Sequence, residues 1–155
     1  ILQSSVRRDE DLGTLMRAQV LFWLLAAIDG HAKNWSLRIL EQGRYHLTPM
    51  YDVVSAWPIV GARANQVHPK KLKLAMALWE KNRHYRIEEI GRRHFVATAR
   101  ACGLRVPMEP IIDEILSIAP DVIARVESTL PRDFPARTFE AITRGILAAR
   151  DALRA

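Results

Sequence analysis

Asp29-Gly30-His31-Ala32-Lys33-Asn34, followed by Tyr51-Asp52-Val53, sets two carboxylates and one amide in an order that suits phosphoryl transfer. Asp29 has the chemistry to accept a proton from an attacking hydroxyl. Asn34 and Asp52 offer hard oxygen ligands, the kind that Mg²⁺ takes. Lys33 lies between the base and the amide, where its ammonium can neutralise charge on a transferred phosphoryl group. Its other reading is a surface lysine. His31 can donate and accept at once, and so can steady Asp29 or the backbone around it. Each residue also has a plainer reading. Asp-Gly is a common turn, Asn34 can close that turn, and Asp52 can cap a short helix.

Two elements must position these groups. From Leu12 to Ile28 the chain is apolar nearly all round, with only Arg17 and Gln19 strongly polar among Leu15, Met16, Val20, Leu21, Phe22, Leu24 and Leu25. That pattern predicts a buried helix, ending where Gly30 lets the backbone turn. Trp35, Leu37 and Ile39 then alternate with Ser36 and Arg38, a period of two that predicts a strand. Glu41-Gln42-Gly43-Arg44 supplies the turn, Tyr45-His46-Leu47 returns, and Pro49 ends the pairing. A turn centred near Gln42 and Gly43 sets Asn34 roughly opposite Tyr51 and Asp52. Opposed residues of a hairpin have Cα atoms ~4.5–5.5 Å apart, close enough for both side chains to reach one cation.

The Asp-to-Asn spacing is that of a protein-kinase catalytic loop. More specifically, the stretch from Gln19 to Pro58 resembles the C-terminal part of the HipA family of toxin kinases. The matching residues are Ala27-Ile28-Asp29-Gly30-His31-Ala32-Lys33-Asn34-Trp35-Ser36 and Tyr45-His46-Leu47-Thr48-Pro49-Met50-Tyr51-Asp52-Val53-Val54-Ser55-Ala56-Trp57-Pro58. The likeness continues through Lys71–Met76, Arg93–Ala99 and Leu130–Pro135. It implies Asp29 as the catalytic base and Asn34 and Asp52 as magnesium ligands, while Lys33 joins the catalytic candidates on its charge and place in the loop alone. With His31 these two form the cofactor-binding side of the site, facing ATP as substrate. It also implies a helix-turn-helix antitoxin of the HipB type as partner, operator DNA bound through that complex, and an aminoacyl-tRNA synthetase as protein substrate. In ordinary protein kinases the His precedes the Asp, and Asp-Phe-Gly stands where this chain has Tyr51-Asp52-Val53. Those departures fit the HipA family and leave an ordinary activation-loop switch in doubt.

Such kinases have two lobes, and the N-terminal one carries the phosphate-binding loop and the nucleotide-contacting lysine. The seven glycines here are scattered from Gly13 to Gly145, and none pair into a phosphate cradle. The chain begins with Ile1. The expectation is one domain over residues 1–155, a kinase C-lobe whose ATP-binding lobe lies elsewhere, inactive by itself. The fold expected is mainly α, with a small hairpin at the catalytic loop. Beyond the loop, Leu72 to Trp79 reads as a short amphipathic helix and Ile87 to Cys102 as a longer one, with Gly103 as its C-terminal cap. Met108 to Leu130 reads as a helix that Pro120 should break or kink. Pro131 to Pro135 reads as a loop, and Thr138 as the cap of a last helix.

With 23 basic and 17 acidic residues the net charge is +6, a balance that favours polyanionic partners. Arg92, Arg93, Arg100 and Arg105 gather around one predicted helix, and Lys70, Lys71 and Lys73 form a second basic group. Arg93 and Arg100 are the candidate nucleic-acid contacts. The competing function is therefore a non-catalytic basic module that binds an antitoxin and operator DNA. The single cysteine, Cys102, rules out an intrachain disulfide and suits a reducing, cytoplasmic setting. It reads as a buried structural thiol. The apolar run from Val20 to Ile28 is too short to span a bilayer, and no membrane partner is expected. The five histidines show no paired zinc spacing, so none is read as a zinc ligand.

Overall fold

The computed structural model describes residues 1–154. Four α-helices carry most of the structure: α1 (Arg8–Leu25), α2 (Arg92–Ala101), α3 (Met108–Thr129) and α4 (Ala136–Arg154). Two antiparallel hairpins complete it, β1 (Leu37–Ile39) with β2 (Tyr45–Leu47), and β3 (Lys73–Trp79) with β4 (Arg83–Arg86). The fold is mainly α, as expected, with one hairpin more than the sequence predicts.

Helix α1 is the axle. Met16, Ala18, Val20, Phe22, Trp23 and Leu24 are all buried, and only the stripe through Arg17, Leu21 and Leu25 reaches water. It packs against α2, α3 and α4. Near its start the buried Asp11 carboxylate accepts hydrogen bonds from Ser5 Oγ and, at 2.8 Å, from the Leu47 amide. A buried acid survives here because Oδ2 accepts both bonds, and the one from Leu47 pins β2 to the helix. The first hairpin forms as expected, with Leu37 opposite Leu47 and Ile39 opposite Tyr45, a register that continued would set Asn34 opposite Met50 rather than Tyr51 and Asp52. Gln42 (φ 60°) and Gly43 (φ 71°) turn it.

Leu72–Trp79 is not a helix. Lys73–Trp79 is strand β3, and Leu72, Leu74 and Leu78 are buried against the core. Leu, Ala, Met and Lys favour a helix locally, but pairing with β4 and packing on α2 override that preference. The helix expected from Ile87 begins only at Arg92, after a 3₁₀ turn at Ile87–Glu89. His94 Nδ1 accepts the Gly91 amide at 2.9 Å and so caps its first turn. Its C-terminus is the expected one. Gly103 sits at φ 76°, and the Leu104 amide reaches the Ala99 carbonyl at 2.9 Å.

Pro120 does not end α3, which runs through it as one helix. Proline has no N–H to give to the carbonyl four residues back, that of Leu116. Arg150 Nε at 2.9 Å and Arg154 at 3.3 Å donate to that oxygen from α4 instead. The bond that the proline cannot make thus becomes a clasp between the last two helices. Helix α4 starts at Ala136, earlier than the Thr138 cap expected, and its buried seam is Gly145, Ala149 and Leu153.

Candidate active site

The site begins where α1 ends. The helix stops at Leu25, short of the expected Ile28, because Ala26 takes a left-handed conformation (φ 47°). The last carbonyls of a helix have no partners within it. Here the segment after Asp52 supplies them. Trp57 Nε1 donates to the Leu24 carbonyl at 2.8 Å, Ser55 Oγ to that of Leu25 at 2.7 Å, and the Ala56 amide to that of Ala26 at 3.2 Å. Three consecutive carbonyls at the helix end therefore latch the Asp52 segment beside the Asp29 loop. Gly30 is needed for a different reason from the turn. A Cβ there would lie 2.7 Å from the Phe22 ring, so only glycine lets the loop lie flat on α1. Trp35 meets the same ring edge-on, with centroids 6.2 Å apart.

Asn34 is the hub. It is buried, and its amide Nδ2 donates to the Asp29 carbonyl at 3.1 Å and to Asp52 Oδ2 at 3.0 Å. Both bonds run through the nitrogen, which leaves the amide oxygen as the ligand atom. Asp52 itself sits at φ 56°, a conformation in which a non-glycine residue is strained. Its carboxylate is aimed at Asn34 at that cost. Asp29 joins the group through its backbone. Its carboxylate faces water, 3.1 Å from His31 Nε2. The Lys33 side chain is exposed, while its carbonyl accepts from Tyr51 Oη at 3.4 Å. Tyr51 Oη also lies 2.9 Å from Ser36 Oγ. The hairpin thus brings Asn34 and Asp52 close enough for their side chains to bond, and His31 lies against Asp29.

The group lies on an open surface. A cavity of about 760 Å³ near the start of α1 is lined by Arg7, Glu10, Arg38 and His46 and includes none of Asp29, Asn34 and Asp52. The basic cluster is partly neutralised. Arg92 pairs with Asp113 at 2.8 Å, Arg105 with Asp9 at 3.3 Å, and Arg93 with Glu80 at 3.7 Å. Arg100, on the same helix as Arg93, is exposed. Burial raises the Cys102 thiol pKa, which keeps it protonated and unreactive.

Sequence reasoning misses the residues that build the latch. Ser55 and Trp57 show no role in the sequence, and Gly145 is only one of the scattered glycines. Gly145 lies against the Trp57 indole so closely that a Cβ would come within 2.3 Å of it. Part of the signal is there, since a tryptophan beside a proline just after Asp52 is an unusual residue to place near a surface. No helix among the described residues is long and apolar enough to cross a membrane.

The family model for the HipA-like C-terminal domain matches residues 1–123, which takes in α1, the Asp29 loop, both hairpins, α2 and most of α3. A match over that share of the sequence, on a fold of this kind, means that the chain belongs to the HipA-like C-terminal domain family.

Proposed function

We propose that this chain is the catalytic lobe of a HipA-type serine/threonine kinase, moving the γ-phosphate of ATP to a protein hydroxyl. The observation that supports it most is the Asn34–Asp52 contact of 3.0 Å, tied to the Asp29 carbonyl through the same amide. Family membership supports it at the coarser level, because HipA proteins are serine/threonine kinases.

The donor set fits magnesium. Asn34 offers an amide oxygen and Asp52 a carboxylate oxygen, and neither is the thiolate or imidazole that a softer metal prefers. Asn34 and Asp52 would hold the ion, which when bound offsets charge on the nucleotide phosphates. The chain's own groups do the rest. Asp29, free in solvent, orients the acceptor hydroxyl and takes its proton. His31 at 3.1 Å limits the rotation of that carboxylate. Lys33 is on hand to meet the negative charge of the transferred group. The Leu24–Ala26 carbonyls fix the distance between the two halves of the loop, and phosphoryl transfer depends mostly on such positioning.

The open surface means that the nucleotide needs a second wall, so this chain by itself should bind ATP weakly and turn over nothing. The substrate class proposed is an aminoacyl-tRNA synthetase, and the partner a helix-turn-helix antitoxin, with operator DNA met through the complex. Arg100 is the better DNA candidate, since Arg93 already has Glu80. The test is a Mg–ATP titration of the full-length protein. Asp52→Ala should weaken binding by about tenfold or more while Asp29→Asn leaves it within a factor of about two. Equal affinity for wild type and Asp52→Ala would remove the ligand role.

A further inference from the structure

His94 is completely buried at the start of α2, yet its Nε2 has no hydrogen-bond partner among the described residues. An unpaired polar atom in that setting is costly, and native proteins rarely leave one without a purpose. Nε2 is aimed at two other ligand-type side chains. Glu80, in the β3–β4 turn, brings Oε2 to 3.9 Å. His84, on β4, stacks at a tilt with ring centroids 4.2 Å apart. One ligand atom from each of the three lies within 4.8 Å of the others.

We infer that Glu80, His84 and His94 form a binding site for a zinc-like divalent metal, clamping the β3–β4 hairpin to α2. Two imidazoles and one carboxylate are a zinc donor set, with water as the fourth ligand. Tetrahedral ligands at ~2.0–2.1 Å from the metal stand roughly 3.4 Å from each other. Closing from 3.9–4.8 Å to that spacing requires the three side chains to draw together by about an ångström. The backbone is already set: Thr98 Oγ1 accepts the Trp79 amide at 2.7 Å and donates to the His94 carbonyl at 2.6 Å, fixing the hairpin beside the ring. A metal on Nε2 requires the ring proton on Nδ1, and the Gly91 carbonyl stands 3.3 Å from Nδ1 to receive it. In the unloaded site Nδ1 accepts from the Gly91 amide at 2.9 Å, so loading moves the ring proton from Nε2 to Nδ1 and turns the ring from that amide toward the carbonyl. The Arg93–Glu80 pair at 3.7 Å is loose and exposed on the arginine side, so it yields to a divalent ion.

The site is separate from Asp29, Asn34 and Asp52, and its test does not depend on any kinase activity. The chain is stripped with a chelator and titrated with ZnCl₂ against a chromophoric competitor. CoCl₂ then reports coordination through its visible absorption. One metal per chain is expected, with an intense tetrahedral cobalt spectrum. His84→Ala and Glu80→Gln should each lower zinc affinity by at least about 100-fold, beyond the ~10–100-fold that loss of an outer partner costs. Both side chains are partly exposed, so these variants keep the fold, which makes them better probes than a change at the buried His94. His46→Ala, outside the cluster, should bind as wild type does. Zinc affinity unchanged in both His84→Ala and Glu80→Gln, or a wild type without a saturable site, overturns the proposal.

Discussion

Two clusters of polar side chains in this domain are built in opposite ways. Around Asp29 the carboxylates of Asp29 and Asp52 stand in water, and the precision lies beneath them, in three helix-end carbonyls caught by Ser55, Ala56 and Trp57. Around His94 the backbone is ordinary and the side chain itself is buried, its Nε2 turned toward Glu80 and His84. The difference teaches what each can do. An exposed carboxylate on a rigid base can meet a large substrate. A buried imidazole facing two ligand groups can hold a small ion but has no room for a substrate.

If the two regions are separate, each can be broken alone. The largest effect should come from Gly145→Leu. Its side chain would collide with the Trp57 indole, whose Cγ and Cδ2 lie 2.3 Å from where a Cβ would be. Overpacking of this kind costs about 1–3 kcal/mol, and it displaces the residue that latches Leu24. Thermal melting should fall and nucleotide affinity of the full-length protein should fall with it, while zinc affinity stays unchanged. Gly30→Ala comes next. The new methyl would press the Phe22 ring at 2.7 Å. A loss of roughly 1–2 kcal/mol in chemical denaturation is expected. A neutral Gly30→Ala would mean that the loop can lift off α1 freely, against a rigid base.

Trp57→Phe sharpens the same point more gently. It removes the donor to the Leu24 carbonyl and keeps most of the packing, at a cost of about 0.5–1.5 kcal/mol. The smallest effect lies outside both regions. Arg150→Met should destabilise the parent but cost ~0.5–1 kcal/mol less in a Pro120→Ala background, where the restored backbone N–H can donate to the Leu116 oxygen itself. A double-mutant cycle by urea denaturation measures that coupling, and strict additivity would contradict the clasp.

The Asp29 region is legible in the sequence because its signals are local. Asp-Gly, the alternation from Trp35 to Ile39 and the glycine turn at Gly43 fix a hairpin that carries Asn34 to Asp52. The latch is less legible, since nothing in Ser55 or Trp57 says which carbonyls they will meet. The His94 cluster is hidden altogether when Leu72–Trp79 is read as a helix. As a strand, with Leu72, Leu74 and Leu78 buried, that stretch makes Glu80 a turn residue and sends His84 back beside α2. The local helix preference of Leu, Ala and Met masks that pairing. Pro120 misleads in the same way, because the arginines that satisfy Leu116 lie 34 and 38 residues further along the chain from it.

The role of Asp29 as the base of a phosphoryl transfer is tested most directly by labelled-phosphate incorporation into a protein substrate. The full-length protein is used, wild type against Asp29→Asn. The amide is nearly isosteric and the side chain is largely exposed, so the fold should not change. A fall in transfer of about 10²–10⁴-fold is predicted, with an unchanged melting temperature and unchanged Mg–ATP affinity. Transfer by Asp29→Asn at the wild-type rate would contradict it.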